Sequence, residues 1–215
     1  MNRIFISAKS DIKLHKLISE SIKKIKKYKK VGLITTIQHL HILPKLEKQL
    51  SARKFKVLIG GQVLGCNIKN AKKIEKKIDA FVYFGSGMFH PLAVAYATNK
   101  PVFVIDYVLN NVVQISKEER DKYLQKKIIG RELAKQATTY GILVSTKPGQ
   151  ENLKTALQIK KKLEQKGKEA ILFLGDSIFP QEEPNFLQIE CWINTACPRI
   201  IEDAWEKNIV NIDDF

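Results

Sequence analysis

Three cysteines carry the most distinctive chemistry in this sequence of 215 residues: Cys66, Cys191 and Cys197. Their number is odd and no two have C-x-x-C spacing, so neither a disulfide framework nor a zinc ribbon is expected. The four histidines form no recognised zinc pattern with them. Cys197 ends an apolar run and is followed by Pro198 and Arg199. A thiol there is either a buried core cysteine or a ligand to something soft.

The elements that must position these thiols follow from the pattern of apolar residues. Short apolar runs predict strands at residues 31–36, 56–61, 80–87, 101–107, 140–146, 170–176, 190–195 and 209–212. Longer helical patterns predict helices at residues 40–53, 69–77, 117–137, 151–166 and 200–207, and from about Pro91, since proline fits a first helical turn. Strands that alternate with helices predict an α/β fold with parallel sheets and right-handed crossovers.

The order of these elements occurs twice along the chain. We therefore predict two similar small α/β domains, residues 1–112 and 113–215, each with approximately four parallel strands flanked by helices. Ligands of open α/β sheets bind at the carboxyl ends of the strands. Cys66 follows the second strand of the first copy and Cys197 follows the third strand of the second, so both are expected at that edge. Cys191 falls within a strand, which predicts a packed core thiol.

The charge of the chain limits its partners. The net charge is +15, but only five of the 37 basic residues are arginine, the residue that best reads bases and phosphates. The run "IKKIKKYKK" contains apolar residues at helical spacing, which favours an amphipathic helix with a lysine face over a phosphate or RNA patch. These apolar residues are Leu14, Leu17, Ile18, Ile22, Ile25 and Tyr28. Nucleic acid is therefore not the expected partner.

The apolar runs also bear on membranes and secretion. None approaches the roughly 20 residues that a membrane span needs. The apolar stretch at the start, "MNRIFISAKSD", is too short for a secretory signal. We expect a soluble, cytoplasmic protein with no membrane partner.

Four segments occur in one order: "GGQVLGC", "FVYFGSGMFHPLAVAYATNKPVFVID", "GILVSTKPGQ" and "NTACPRI". Together they resemble the archaeal diphthamide synthase family, which performs the first step of diphthamide biosynthesis. The resemblance implies three similar α/β domains that each give one cysteine to a 4Fe-4S cluster. It also implies S-adenosylmethionine as substrate, with a 3-amino-3-carboxypropyl radical that attacks a histidine of translation elongation factor 2. The implied by-product is methylthioadenosine.

The resemblance assigns two of the three cysteines. Cys66 matches the cluster ligand of the family's second domain, Cys197 matches that of the third, and Cys191 matches none. The family's first ligand precedes the "GLITT"-like strand, and here no cysteine precedes residue 31. We therefore expect a split enzyme whose partner chain supplies an N-terminal domain and the third cysteine, or is a paralogue. The alternatives are a non-catalytic structural or electron-delivery subunit and a lysine-rich RNA-binding α/β protein.

Two polar residues near the second-domain edge are candidate contacts for S-adenosylmethionine. Arg199 lies two residues beyond Cys197, and its charge could pair with the methionine carboxylate. The alternative is a surface ion pair. Gln150, in "KPGQ", could bind the amino or carboxylate group, or it could cap the helix after a Pro-Gly turn.

The first domain offers further cofactor-binding candidates. Gly85 and Gly87 permit close backbone approach to a ligand. His90 could hydrogen-bond cofactor or substrate, although a histidine at a helix start more often caps the helix. Asp106 ends a strand at the same edge and could meet a ribose hydroxyl. His39 and His41 follow the first strand and are candidates for lining the cleft, but neither is expected to be an iron ligand.

Overall fold

A computed structural model describes residues 15–215 of the chain. The chain separates into two compact units, of which the first ends at Asp121 and the second begins at Lys122. The helices are α1 His15–Ile25, α2 Leu43–Ser51, α3 Lys69–Ile74, α4 Phe89–Thr98, α5 Lys117–Gln136 and α6 Leu153–Glu164. The strands are β1 Lys30–Thr35, β2 Lys56–Gln62, β3 Ala80–Phe84, β4 Val102–Asp106, β5 Asn111–Gln114, β6 Thr139–Ser145, β7 Glu169–Gly175, β8 Cys191–Asn194 and β9 Asn208–Asn211.

The first unit contains a sheet with the strand order β2-β1-β3-β4-β5. Its first four strands are parallel, as the sequence predicts, and β5 pairs antiparallel with β4. The pattern of apolar residues did not predict β5, because this strand has only four residues and follows β4 after a short turn. The predicted domain boundary between residues 112 and 113 falls inside β5. Both residues therefore belong to the first sheet.

The second unit contains a parallel sheet with the order β7-β6-β8-β9. This order matches β2-β1-β3-β4 of the first unit strand for strand. The α/β class and the repeated plan are therefore confirmed.

One predicted helix of the second unit, at residues 200–207, is wrong. Pro198–Glu202 form a 3₁₀-helix instead. The backbone amides of Glu206 and Lys207 donate to the buried carboxylate of Glu183, at 2.8 and 2.9 Å, and are therefore withdrawn from a helical ladder. The side chain of Trp205 is held against the 3₁₀-helix, because its indole Nε1 donates to the carbonyl of Ile200 at 2.8 Å.

The central strands explain why their sequences are continuously apolar. β3 and β4 are buried along their whole length, and β1 is buried after its first residue. Strands covered on both faces by crossover helices need no polar alternation. In the second unit, Tyr140 and Trp192 are almost fully buried and belong to two separate core clusters.

Helix α1 confirms the amphipathic interpretation of the lysine-rich run. Leu17, Ile18 and Ile25 are buried in the core of the first unit, and Lys23 and Lys24 lie in the last turn. Leu14 lies outside the described residues. Between residues 15 and 215, no helix is long and apolar enough to cross a membrane.

The two sheets begin in the same way. Asp79, just before β3, accepts hydrogen bonds from the backbone amides of Lys29 and Lys30 at 3.0 and 2.8 Å. Glu190, just before β8, accepts from the backbone amide of Thr138 at 2.6 Å and from its hydroxyl. In each unit an acidic side chain therefore secures the backbone where the central strand begins.

Candidate functional site

Cys66 lies in a tight turn beyond β2. The pairing of β1 with β2 shifts between Leu33 and Ile34, so that β2 carries one extra residue near its carboxyl end. After the strand, Leu64 and Asn67 exchange two backbone hydrogen bonds of 2.9 and 3.0 Å. Cys66 lies between these two residues and its side chain is exposed.

The first turn of α4 supports the Cys66 turn. His90 Nδ1 accepts a hydrogen bond from the backbone amide of Gly65 at 2.8 Å. Gly65 also lies so close to Phe89 that any Cβ at this position would overlap the ring. Nδ1 can accept only when it carries no proton, so this contact requires that nitrogen of His90 to be unprotonated. His90 therefore contacts the turn that contains Cys66, through the backbone of the adjacent Gly65.

The surroundings of Cys66 are cationic. Cys66 lines an open pocket together with Lys69, Lys72 and Lys73, all of α3. Glu75 pairs with Lys72 at 3.1 Å and offsets part of this charge. A positive surface around a thiol favours an anionic ligand.

Cys197 follows β8 in an extended conformation and is half-buried. It lines an open pocket of about 240 Å³ at the carboxyl edge of the second sheet. The pocket is also lined by polar residues from the end of β6 and from the loops after β6 and β7: Ser145, Lys147, Gln150, Asp176 and Ser177. The structure therefore brings Gln150 and Cys197 together, both of which the sequence singled out.

Lys147 and Asp176 were not predicted as site residues. Lys147 Nζ donates to the hydroxyl of Ser177 at 3.2 Å, and this bond joins the loops at the carboxyl ends of β6 and β7. The lysine stands in "STKPGQ" beside Gln150, so its position after a strand was a signal that the sequence already contained. Asp176 follows the glycine that ends β7.

Arg199 lies outside this pocket. Its side chain is exposed, and in the described part of the chain the pocket lining includes Ile200 but not Arg199. The charge of Arg199 acts instead on Glu202, where it partly opposes the burial that raises the pKa of this carboxyl. Contact of Arg199 with a methionine carboxylate stays a prediction.

Asp106 braces two loops at the edge of the first sheet. Its carboxylate accepts from the backbone amides of Val108 and Leu109, at 2.9 and 3.0 Å, and from that of Gly87 at 3.3 Å. Gly87 has a φ of 74°, which favours glycine. The backbone amide of Gly85 donates to the carbonyl of Ile105 at 3.2 Å. These contacts define the Gly85–Gly87 loop, and its binding of a nucleoside stays a prediction, as does a ribose contact of Asp106.

His39 fills the remaining part of the first-unit edge. The residue is only 3% exposed and its ring packs edge-on against Phe84 and Tyr107. Among residues 15–215, the ring Nδ1 has no hydrogen-bond partner. Burial, with a smaller effect of His41, lowers the pKa of His39 below its ordinary value of 6.5. His39 is therefore a neutral member of an aromatic cluster and not an open cleft residue.

Cys191 differs from the other two thiols. It is 1% exposed, and burial raises the pKa of its thiol to about 12. Its Sγ lies 3.4 Å from the amide Nδ2 of Asn208. A thiol that stays protonated in the core is a poor metal ligand, because the thiolate is the form that binds. The predicted core role of Cys191 is confirmed.

Within residues 15–215, each unit therefore offers one accessible thiol as a metal donor, Cys66 in the first and Cys197 in the second. Among residues 15–215, no three His, Cys, Asp or Glu side chains gather closely enough to hold a metal ion. Thiolates are the usual ligands of iron–sulfur clusters, and both accessible cysteines lie at the sheet edges where α/β proteins bind ligands. The donor type fits such a cluster, with one candidate ligand in each unit.

Sequence comparisons identify the relatives of the chain. Residues 1–211 match the model of the diphthamide synthesis protein family. The chain is 33% identical to the 2-(3-amino-3-carboxypropyl)histidine synthase of Pyrococcus horikoshii, over 96% of this chain and 62% of that protein. It is 31% identical to the protein of the same name from Methanocaldococcus jannaschii, over 87% of this chain and 51% of that protein. With subunit 1 of the Caenorhabditis elegans synthase it shares 30% identity over 81% of this chain.

Structural comparison gives the same relationship. The crystal structure of Dph2 from Pyrococcus horikoshii with a 4Fe-4S cluster aligns with a TM-score of 0.84 and 31% identity. The alignment covers 96% of this chain and 62% of that one. The chain therefore spans less than two thirds of the length of these relatives.

Proposed function

Because this chain belongs to the diphthamide synthesis family, we propose that it is a subunit of a split diphthamide synthase. The proposed reaction transfers a 3-amino-3-carboxypropyl group from S-adenosylmethionine to a histidine of translation elongation factor 2 through iron–sulfur radical chemistry. The relatives named 2-(3-amino-3-carboxypropyl)histidine synthase support the enzyme class. Since the chain spans only part of these relatives, the proposal assigns the complete reaction to a complex with a partner chain.

The observation that carries this proposal is the contrast among the three thiols. Cys66 and Cys197 are accessible at the carboxyl edges of their sheets, whereas Cys191 is buried and protonated. We assign Cys66 and Cys197 as ligands of a 4Fe-4S cluster, with the third thiolate from a partner chain or a paralogue. A cluster with three thiolates would supply one-electron chemistry and one iron open to the substrate.

The pocket beside Cys197 suits the amino-acid end of S-adenosylmethionine. Lys147 provides a cation for the carboxylate, and Asp176 provides an anion for the ammonium group. Gln150 adds an amide that can donate or accept. We propose that these three side chains orient the methionine moiety, with Arg199 as a further cation near the pocket.

The first unit supplies the candidates for the remaining contacts. We assign the Gly85–Gly87 loop and Asp106 to the nucleoside part of the substrate. The hydrogen bond that His90 accepts from the Gly65 amide, next to Cys66, supports our assignment of His90 as a further contact of the substrate near the ligand.

The net charge of +15 fits an approach to acidic surface on the elongation factor, in the cytoplasm. Complementary charge mainly accelerates encounter. An association rate that does not change between low and high salt would remove this part of the proposal.

The proposed function is tested by transfer of a labelled aminocarboxypropyl group to elongation factor 2, in a reduced anaerobic mixture of this chain and a candidate partner chain. Cys66→Ala and Cys197→Ala are each expected to reduce the rate at least about 100-fold, since loss of even an outer-shell residue of a metal site costs 10–100-fold. Cys191→Ala is the matched control and should keep the activity while losing stability. Full activity of Cys66→Ala and Cys197→Ala would instead assign this chain a non-catalytic role.

A further inference from the structure

Two buried asparagines converge on the backbone of the Cys197 loop. Asn194, the last residue of β8, is 1% exposed, and Asn211, the last residue of β9, is 6% exposed. Asn194 Oδ1 accepts from the backbone amide of Ala196 at 3.0 Å. Its Nδ2 donates to the carbonyl of Cys197 at 2.8 Å and to Asn211 Oδ1 at 2.7 Å.

Asn211 extends this network to the next peptide. Its Nδ2 donates to the carbonyl of Pro198 at 3.1 Å. The carbonyl of Cys197 also accepts from the backbone amide of Ile200 at 3.0 Å, where the 3₁₀-helix begins. The carbonyls of Cys197 and of the residue after it are thus each fixed by a side-chain amide, and the two amides come from adjacent strands.

This arrangement demands carboxamides at both positions. Each side chain uses an oxygen as acceptor and a nitrogen as donor at the same time, which neither a carboxylate nor an apolar side chain can do. Two amides that only filled the core would be costly to bury, because every polar atom needs a partner. Here the partners are backbone groups of residues 196–198, on both sides of the thiol.

We propose that Asn194 and Asn211 are positioning residues that hold the Cys197 loop so that its thiol faces the pocket for cluster ligation. The inference rests on the proposed role of Cys197 as a ligand. It deepens that role, because it names the groups that set the position of this thiol. In the Cys66 turn, by comparison, the side-chain contact to the backbone comes from His90.

The test measures the position of the thiol directly, without cluster or partner chain. The full chain is treated with iodoacetamide under native conditions, and peptide mass spectrometry follows the alkylation of Cys197 and Cys66 in the same molecule. Asn194→Asp preserves shape and the contact with Ala196, but it turns an oxygen toward the carbonyl of Cys197. We expect the Cys197-to-Cys66 rate ratio to rise at least about fivefold, because loss of about 1 kcal/mol of local stability corresponds to that factor.

Asn208→Asp is the matched control. Asn208 lies in the same strand as Asn211, and its Nδ2 donates to the carbonyl of Gly130 at 2.8 Å, away from the Cys197 loop. This variant removes the same kind of bond and should lower the melting temperature, but it should change the ratio less than twofold. A change in the ratio as large as that of Asn194→Asp would show general loosening and overturn the proposal.

Asn211→Asp decides the question if Asn194→Asp does not fold, since it removes only the donor to Pro198. We expect a rise of the ratio in this variant, smaller than for Asn194→Asp. An unchanged ratio in the folded variants would overturn the proposal even if iron binds. Failure of the proposed function is recognised separately, by an iron content of the partner mixture that Cys197→Ala does not reduce.

Discussion

The two units are alike where their sheets begin and differ where their strands end. Asp79 and Glu190 occupy equivalent positions and secure the amino ends of β1 and β6 in the same way. At the carboxyl ends, the first unit presents its accessible thiol after its outermost strand, β2. The second unit presents its thiol after β8, the third strand of the repeat. The two units share the same order of their four parallel strands, but their accessible cysteines lie in loops that do not correspond.

Loops at corresponding positions in the two units therefore carry different residues. After β1 the first unit closes its edge with the aromatic cluster of His39, Phe84 and Tyr107. After β6 the second unit leaves a pocket lined by Lys147 and Gln150. This difference predicts that substitutions at equivalent positions have unequal effects.

The largest expected difference concerns the equivalent glycines of β1 and β6. A Cβ at Gly141 would overlap the ring of Trp192, which is only 2% exposed. One at Gly32 would meet the flexible ends of Ile78 and Ile74 at 2.6 and 2.8 Å and the ring of Phe81 at 3.2 Å. We expect Gly141→Ala to lower the free energy of unfolding by about 3 kcal/mol and Gly32→Ala by about 1 kcal/mol. Urea unfolding followed by circular dichroism measures both, and an equal or larger loss for Gly32→Ala would contradict this account.

The support of the two thiols should also differ. His90→Phe removes the acceptor of the Gly65 amide, which we expect to cost about 1 kcal/mol in urea unfolding. Because Cys66 is already exposed, its alkylation rate should rise less than about twofold, in contrast to the rise expected for Cys197 in Asn194→Asp. A strong increase at Cys66 would mean that both thiols are held to the same degree.

The aromatic closure of the first unit predicts a dependence on pH. The pKa of His39 is lowered in the folded chain, so the unfolded chain binds the proton at higher pH than the folded chain does. The stability contributed by the neutral ring is thus present above pH 6.5 and is lost as the pH falls toward the lowered value. Differential scanning calorimetry should show His39→Phe melting above the wild type by a margin that grows from pH 7 to pH 5. A constant margin would contradict a buried neutral histidine.

The smallest expected effect concerns Asp79 and Glu190, the carboxylates at the amino ends of β1 and β6. Backbone hydrogen bonds lower the pKa of Asp79 and that of Glu190. Their stabilisation is present above the ordinary values of 3.8 and 4.5 and is lost as the pH falls through the lowered ones. Asp79→Asn and Glu190→Gln should each lower the melting temperature slightly at pH 7 and not at pH 2. A lower melting temperature at pH 7 in only one of the two variants would show that Asp79 and Glu190 do not stabilise their sheets equally.

The sequence predicts the parts of this molecule that depend on local pattern. Apolar runs predict the buried strands, and the position of Cys66 and Cys197 after such runs places them at the sheet edges. The helix predicted at residues 200–207 fails because Glu183, distant in sequence, takes up its backbone amides. Asn194 and Asn211 were not found for the same reason, since their partners are backbone groups of a loop whose path only the folded sheet defines.

The central claim, that Cys66 and Cys197 ligate a cluster completed by a partner chain, is tested most directly by iron and acid-labile sulfide per chain after anaerobic reconstitution. The measurement is made on this chain alone and mixed with the candidate partner. We predict a full 4Fe-4S content only in the mixture, lost in Cys66→Ala and in Cys197→Ala and retained in Cys191→Ala. Equal iron and sulfide in the mixtures with and without these two thiols would contradict the account.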